Sequence, residues 1–75
     1  MLTMRELRPD EVADLEEIID STSLSAVITA IANICTEKCD HILVNWQDKE
    51  LARRYDRASL TLYVTAAKLE CRHHL

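Results

Sequence analysis

Glycine is absent from this chain and proline occurs once, at Pro9. Tight turns in strand-rich folds lean on glycine for backbone with positive φ. A chain of 75 residues without any is expected to consist of helices joined by short polar connections. The expected fold class is all-α.

Length limits what such a chain can bury. At 75 residues it makes one helical domain at most, and a domain of that size removes only about 60–65% of its unfolded surface from water. Small scaffolds usually add a disulfide, a metal or a partner subunit. Apolar residues make up 48% of the chain, there is no phenylalanine, and the aromatics are Trp46, Tyr55 and Tyr63. Aliphatic side chains of this kind suit helix packing, including packing between copies.

Three helices can be read from the spacing. Pro9, Asp10 and Glu11 form a start signal, since proline fits the first turn and acids favour the positive helix end. Val12, Leu15, Ile18 and Ile19 then share a stripe, predicting a first helix over about 9–20 that packs across the others. Ser21, Thr22 and Ser23 break the pattern, and Ser23 is a good cap for a second helix. That helix is expected over about 24–46, with Leu24, Ile28, Ile31, Cys35, Lys38, Ile42 and Asn45 alternating steps of four and three. Ala26, Ala30 and Ala32 leave room for close approach. Asp48 is the cap candidate for a third helix over about 49–72, whose row runs through Leu51, Tyr55, Ala58, Leu62, Thr65, Leu69 and Arg72. The connection Gln47–Asp48 is so short that helices two and three must form an antiparallel hairpin.

A second apolar row on the third helix runs through Leu60, Val64, Ala67 and Cys71. Two apolar rows exceed what one neighbour covers. The expected consequence is a homodimer with Leu60, Val64 and Ala67 at its interface.

Net charge is −4, which argues against nucleic acid as a direct partner, because phosphate neutralisation supplies most of that affinity. Residues 10–20 hold six acids and no base, while Lys49, Arg53, Arg54 and Arg57 cluster at the start of the third helix. One reading of the asymmetry is two solvated faces, or the acidic segment lying near the basic one within the fold; for the arginines, it has Glu37 and Asp40 neutralising Arg53 or Arg57 across the hairpin. The other makes Lys49, Arg53, Arg54 and Arg57 a docking patch for a larger protein, together with Trp46, since Trp and Arg are enriched at binding hot spots. Trp46 has its own structural alternative, in which the indole closes the hairpin end over Leu43 and Leu51. Asp14, Glu16 and Glu17 form an acidic surface, which an inhibitor would use to compete with nucleic acid for a basic site. Neither a leader nor a stretch of roughly 20 apolar residues is visible, so the expectation is a cytoplasmic protein without membrane contact.

Chemistry is poorly represented. Zinc is the first thought for Cys35, Cys39, His41, Cys71, His73 and His74, but structural sites draw on close pairs presented by turns. Cys35 and Cys39 instead lie on one helical face, and the antiparallel hairpin keeps Cys71 far from them. Reduced thiols acting as small apolar fillers are expected, with no metal and no cofactor. Phosphate loops, paired carboxylates and triads are missing, so an enzyme is not expected.

The run Ile34-Cys35-Thr36-Glu37-Lys38-Cys39-Asp40-His41-Ile42, followed by Asn45-Trp46-Gln47-Asp48 and Leu51-Ala52, resembles a group of short helical bacterial proteins found mainly in cyanobacteria. The resemblance covers Ser23 to Leu69. Cys39 stands where the group has alanine, and Tyr55 where it has tryptophan. The group has no assigned activity, so the resemblance implies a small bacterial helical protein and transfers no functional residue.

The leading expectation is a non-enzymatic adaptor or regulator acting by protein–protein interaction as a homodimer. A phage- or host-encoded inhibitor that blocks a nucleic-acid-handling complex through its acidic helix is the alternative. A thiol-based metal or redox sensor is the second.

Overall fold

A computed structural model describes residues 5 to 73, and the side chains of residues 5 to 71. Three helices follow one another: α1, Pro9–Ser21; α2, Leu24–Asn45; and α3, Lys49–His73. No strand is present among the described residues. The protein is all-α, with α2 and α3 forming the antiparallel hairpin.

Each helix start is satisfied locally. Pro9 opens α1, and Glu11 accepts from the Arg8 backbone N–H at 2.9 Å. The Arg5 guanidinium grips the same carboxylate at 2.6 and 3.1 Å. Arg5 and then the Arg8 N–H hold the Glu11 carboxyl below the usual carboxylate range, against the opposing effect of burial. Ser23 Oγ caps α2 by accepting from Ala26 N–H at 3.0 Å. Asp48 caps α3, its Oδ1 accepting from Leu51 N–H at 3.0 Å. These bonds occupy donors that would otherwise be left without a helical partner.

The seam between α2 and α3 is built from small residues. Ser25, Ala32, Ala52, Ser59 and Ala66 are buried, and with Cys39 they recur every seven residues along each helix. Ile28, Cys35, Ile42, Tyr55, Leu62 and Leu69 complete the two seam rows, all of them buried or half-buried. The Tyr63 hydroxyl donates to Asn33 Oδ1 across the hairpin and pins the register. Counted outward from the turn at Gln47, Ala32 falls near Leu62, Ala66 near Ile28, and Ala52 near Ile42. A small side chain at every seventh position removes the bulk that otherwise holds helix axes apart, so the larger neighbour packs on the opposing backbone. The buried Ser59 hydroxyl donates within its own helix, to Asp56 O at 2.8 Å, which spares the seam an unmatched polar group.

Ile28, Cys35, Ile42, Tyr55, Leu62 and Leu69 keep the places that hydrophobic spacing selects, but every alternate seam position is displaced by one. Ile31, Lys38 and Leu51 are exposed, while Ser25, Ala32, Ala52, Ser59 and Ala66 take the buried places. No large side chain is fully buried among the described residues.

The first helix does not pack across the hairpin as expected. It touches α2 and makes no contact with α3, leaving α2 at an angle of 118°. The bend is set at Thr22, whose N–H donates to Ile18 O at 3.0 Å and whose hydroxyl donates to the same carbonyl at 2.6 Å. Leu15 and Ile19 are half-buried, and Val12 and Ile18 are exposed. The radius of gyration is 14.2 Å, against about 11 Å for a compact chain of this length. No single described helix is long and apolar enough to cross a membrane.

The turn after α2 asks for glycine and has glutamine. Trp46 and Gln47 both donate their N–H groups to Ile42 O, at 2.9 and 2.8 Å, and Gln47 adopts φ 55°. Left-handed backbone costs a residue with a Cβ roughly 1–2 kcal/mol, partly offset by the lower unfolded-state entropy relative to glycine. Gln47→Gly should therefore raise the melting temperature by about 2–8 °C, at 4–8 °C per kcal/mol. Gln47→Val should lower it. Thermal melts followed by circular dichroism decide, and a Gln47→Gly protein that melts below wild type would show that the turn is not strained.

Candidate functional site

The same turn builds a sizeable groove. Ending α2 on Ile42 O leaves Trp46 outside the hairpin, at φ −114° and ψ −17°, with 69% of its surface exposed. Beside it lies a groove of about 480 Å³ whose apolar walls are Ile34, Ile42, Trp46, Leu51 and Tyr55. Glu37, Lys38 and His41 form its polar rim. Asn45 holds the rim histidine: its Nδ2 donates to His41 O at 3.0 Å and lies 3.1 Å from His41 Nδ1. A carbonyl can only accept, so Nδ2 is the donor in both bonds, and the neutral ring carries its proton on Nε2.

The alternative in which the indole seals the hairpin end does not hold. Trp46 lines a groove with Leu51 but is not enclosed by it, and Leu43 is itself exposed. Aromatic surface left in water next to an apolar groove is a feature of binding surfaces rather than of a closed core.

The basic cluster lies along the first turns of α3. Arg54 pairs with Glu50 at 3.3 Å, an exposed i,i+4 contact of small energetic value. Arg53, Arg54, Arg57 and Glu50 line a shallow depression of about 150 Å³, and Lys49 is exposed at the helix start. The expected neutralisation of Arg53 or Arg57 by Glu37 or Asp40 is not formed. Arg53 and Arg57 make no ion pair among the described residues. At 100° per residue both point away from α2, opposite the seam residues Tyr55 and Leu62.

Asp14, Glu16 and Glu17 are exposed on α1 and likewise make no ion pair among the described residues. Leu60, Val64 and Ala67 are exposed on α3, Leu60 at 60% and Val64 at 54%.

The thiols stand apart. Cys35 and Cys39 are half-buried on the seam, and Cys71 is exposed, filling no space within the chain. Burial, with Asp56 and then Asp40 adding charge repulsion, pushes the Cys39 thiol up, away from the thiolate form that reacts or binds metal. No three His, Cys, Asp or Glu side chains among the described residues come together as a metal site. The side chain of His73 and all of His74 lie outside the described residues.

Sequence reasoning singled out Trp46 and the arginines but passed over the groove wall opposite them, formed by Ile34 and Tyr55. Ile34 lies outside the row that hydrophobic spacing gives α2. Its placement beside Tyr55 depends on the hairpin register. Comparison with family models, with curated proteins and with solved structures gives no match to this chain.

Proposed function

We propose that the chain is a non-enzymatic helical adaptor or regulator that works by protein–protein interaction as a homodimer. The observation that carries this reading is Trp46, 69% exposed at the edge of an apolar groove. An apolar floor with a charged rim suits an apolar side chain presented by a partner, with Lys38 on the rim available to an acidic group beside it. The homodimer rests on exposed area. The chain exposes 6367 Å², whereas a compact monomer of 8.6 kDa exposes about 4,700 Å² by the usual mass scaling.

Pull-down of the tagged chain from its native cells, run beside a Trp46→Ala variant, tests the groove. Because Trp46 contributes little to the hairpin seam, the variant should melt within about 0.5 kcal/mol of wild type, as surface changes do. It should nevertheless lose the stoichiometric partner that wild type retains, truncation of a hot-spot tryptophan typically removing 2 kcal/mol or more of binding, about 30-fold. A partner held equally by both proteins, or none held by wild type, would remove the groove from the reading.

A further inference from the structure

We infer that one face of the α2–α3 hairpin pairs with the same face of a second copy to make a four-helix bundle; this rests on the homodimer proposed above and gives the Trp46 groove its occupant. At 100° per residue, Leu24, Val27, Ile31 and Ile34 lie on one flank of α2, just beyond the larger seam residues of that helix. On α3 the corresponding flank holds Leu51, Ala58 and Thr65, next to Tyr55, Leu62 and Leu69. The groove joins the two flanks, since Ile34 and Lys38 of α2 line it together with Leu51 and Tyr55 of α3. Both flanks therefore belong to one face of the hairpin. The bond between Tyr63 and Asn33 lies on the opposite face, with Thr29, Asp40, Lys49 and Asp56.

The apolar face is uncovered within its own chain. Ile31, Ile34 and Leu51 are 40%, 49% and 36% exposed, and the larger seam residues beside them, Ile42 apart, are only half-buried. The first helix does not lie across it, because α1 never meets α3. Its 13 residues extend about 20 Å, against about 33 Å for the 22 residues of α2. Lys38 is the one charge on this face among the described residues, and a lysine stem lies along apolar surface while its amine reaches the rim.

Two apolar flanks of this length side by side are covered by a second pair of helices in a facing layer. The chain supplies that pair itself: a copy brings the same length and the same apolar surface, and two-fold symmetry makes the contact reciprocal. Contiguous apolar faces of this kind are rarely left in water. The area agrees. The chain exposes about 1,700 Å² more than a compact monomer of its mass, and a standard interface takes about 800 Å² from each partner.

Sedimentation equilibrium of the full chain, with Trp46 emission recorded over the same dilution series, is the test. Wild type at micromolar concentration should sediment at twice 8.6 kDa. Trp46 is the only tryptophan and lines the groove, so its emission should move to longer wavelength as dilution returns the mass to one copy. Ile34→Glu sets a carboxylate on the face and should weaken association about 100-fold or more, with helical circular dichroism retained. Leu60→Glu, exposed on the outward side of α3, is the control and should keep both dimer mass and emission. If Ile34→Glu loses helicity, the dilution series of wild type gives the same reading without a substitution. A dimer that dissociates with Trp46 emission unchanged, that survives Ile34→Glu, or that Leu60→Glu dissolves as readily overturns pairing through this face and leaves a homodimer on another. Monomeric wild type overturns the pairing and the homodimer together, and leaves the groove to a different protein, which the Trp46→Ala pull-down detects.

Discussion

Ala32→Leu is expected to lower the melting temperature by about 10–20 °C, while Ala30→Leu, two residues away on the same helix, should leave it nearly unchanged. The two changes are chemically identical. Ala32 is fully enclosed, at 0% exposure, and falls near Leu62 across the seam, whereas Ala30 is exposed. Leucine at position 32 adds bulk where the two backbones approach. The hairpin can accommodate it only by spreading or by forcing Leu62 off its rotamer. Overpacking of this kind costs typically 1–3 kcal/mol, a large share of the roughly 4–11 kcal/mol available to a domain of this length. Leucine at position 30 improves nothing but also displaces nothing. Thermal melts of the two variants side by side decide, and equal melting temperatures would mean that the seam is not closely packed.

Leu62→Asp should have the larger effect and abolish the folded state. Leu62 lies at the middle of α3, half-buried against α2, with the small residues Ser59 and Ala66 on either side. The cationic cluster is confined to the first turns of α3 and points outward, so it supplies no partner there. A carboxylate introduced there must be desolvated without a partner, at a cost of several kcal/mol. Far-UV circular dichroism at neutral pH should fall to that of an unfolded chain. Val44→Asp, at an exposed position of α2, is the matched control and should keep the wild-type spectrum. A Leu62→Asp protein as helical and as stable as the control would place Leu62 outside the seam.

What was legible in advance belongs to interactions within a few residues of chain. Pro9, Ser23 and Asp48 mark the three helix starts because each satisfies or replaces backbone donors one turn away, and those bonds do not depend on the rest of the fold. The antiparallel hairpin follows from the length of the Gln47–Asp48 connection, which leaves the two helices no other arrangement. The apolar row Leu60–Val64–Ala67 was legible for the same reason. Its spacing follows from helix geometry alone.

The choice of buried stripe was not local. Hydrophobic spacing favours Ile31 and Leu51, yet both are exposed and the structure buries Ser25, Ala32, Ala52, Ser59 and Ala66. Their value lies in what they lack. A small residue gains little by leaving water, but it lets a large residue on the other helix reach the backbone, and that gain exists only when both helices are in register. The freedom of Arg53 and Arg57 was decided in the same way, by which side of α3 turned toward α2, whereas the exposure of Trp46 came from the turn that ends α2 on Ile42 O. The direction of α1 came from the bonds that Thr22 makes to Ile18 O, which turn the chain by 118°. Composition and spacing determined three helices and their caps. Tertiary packing decided which faces they share, because only the assembled hairpin weighs close backbone approach against side-chain burial.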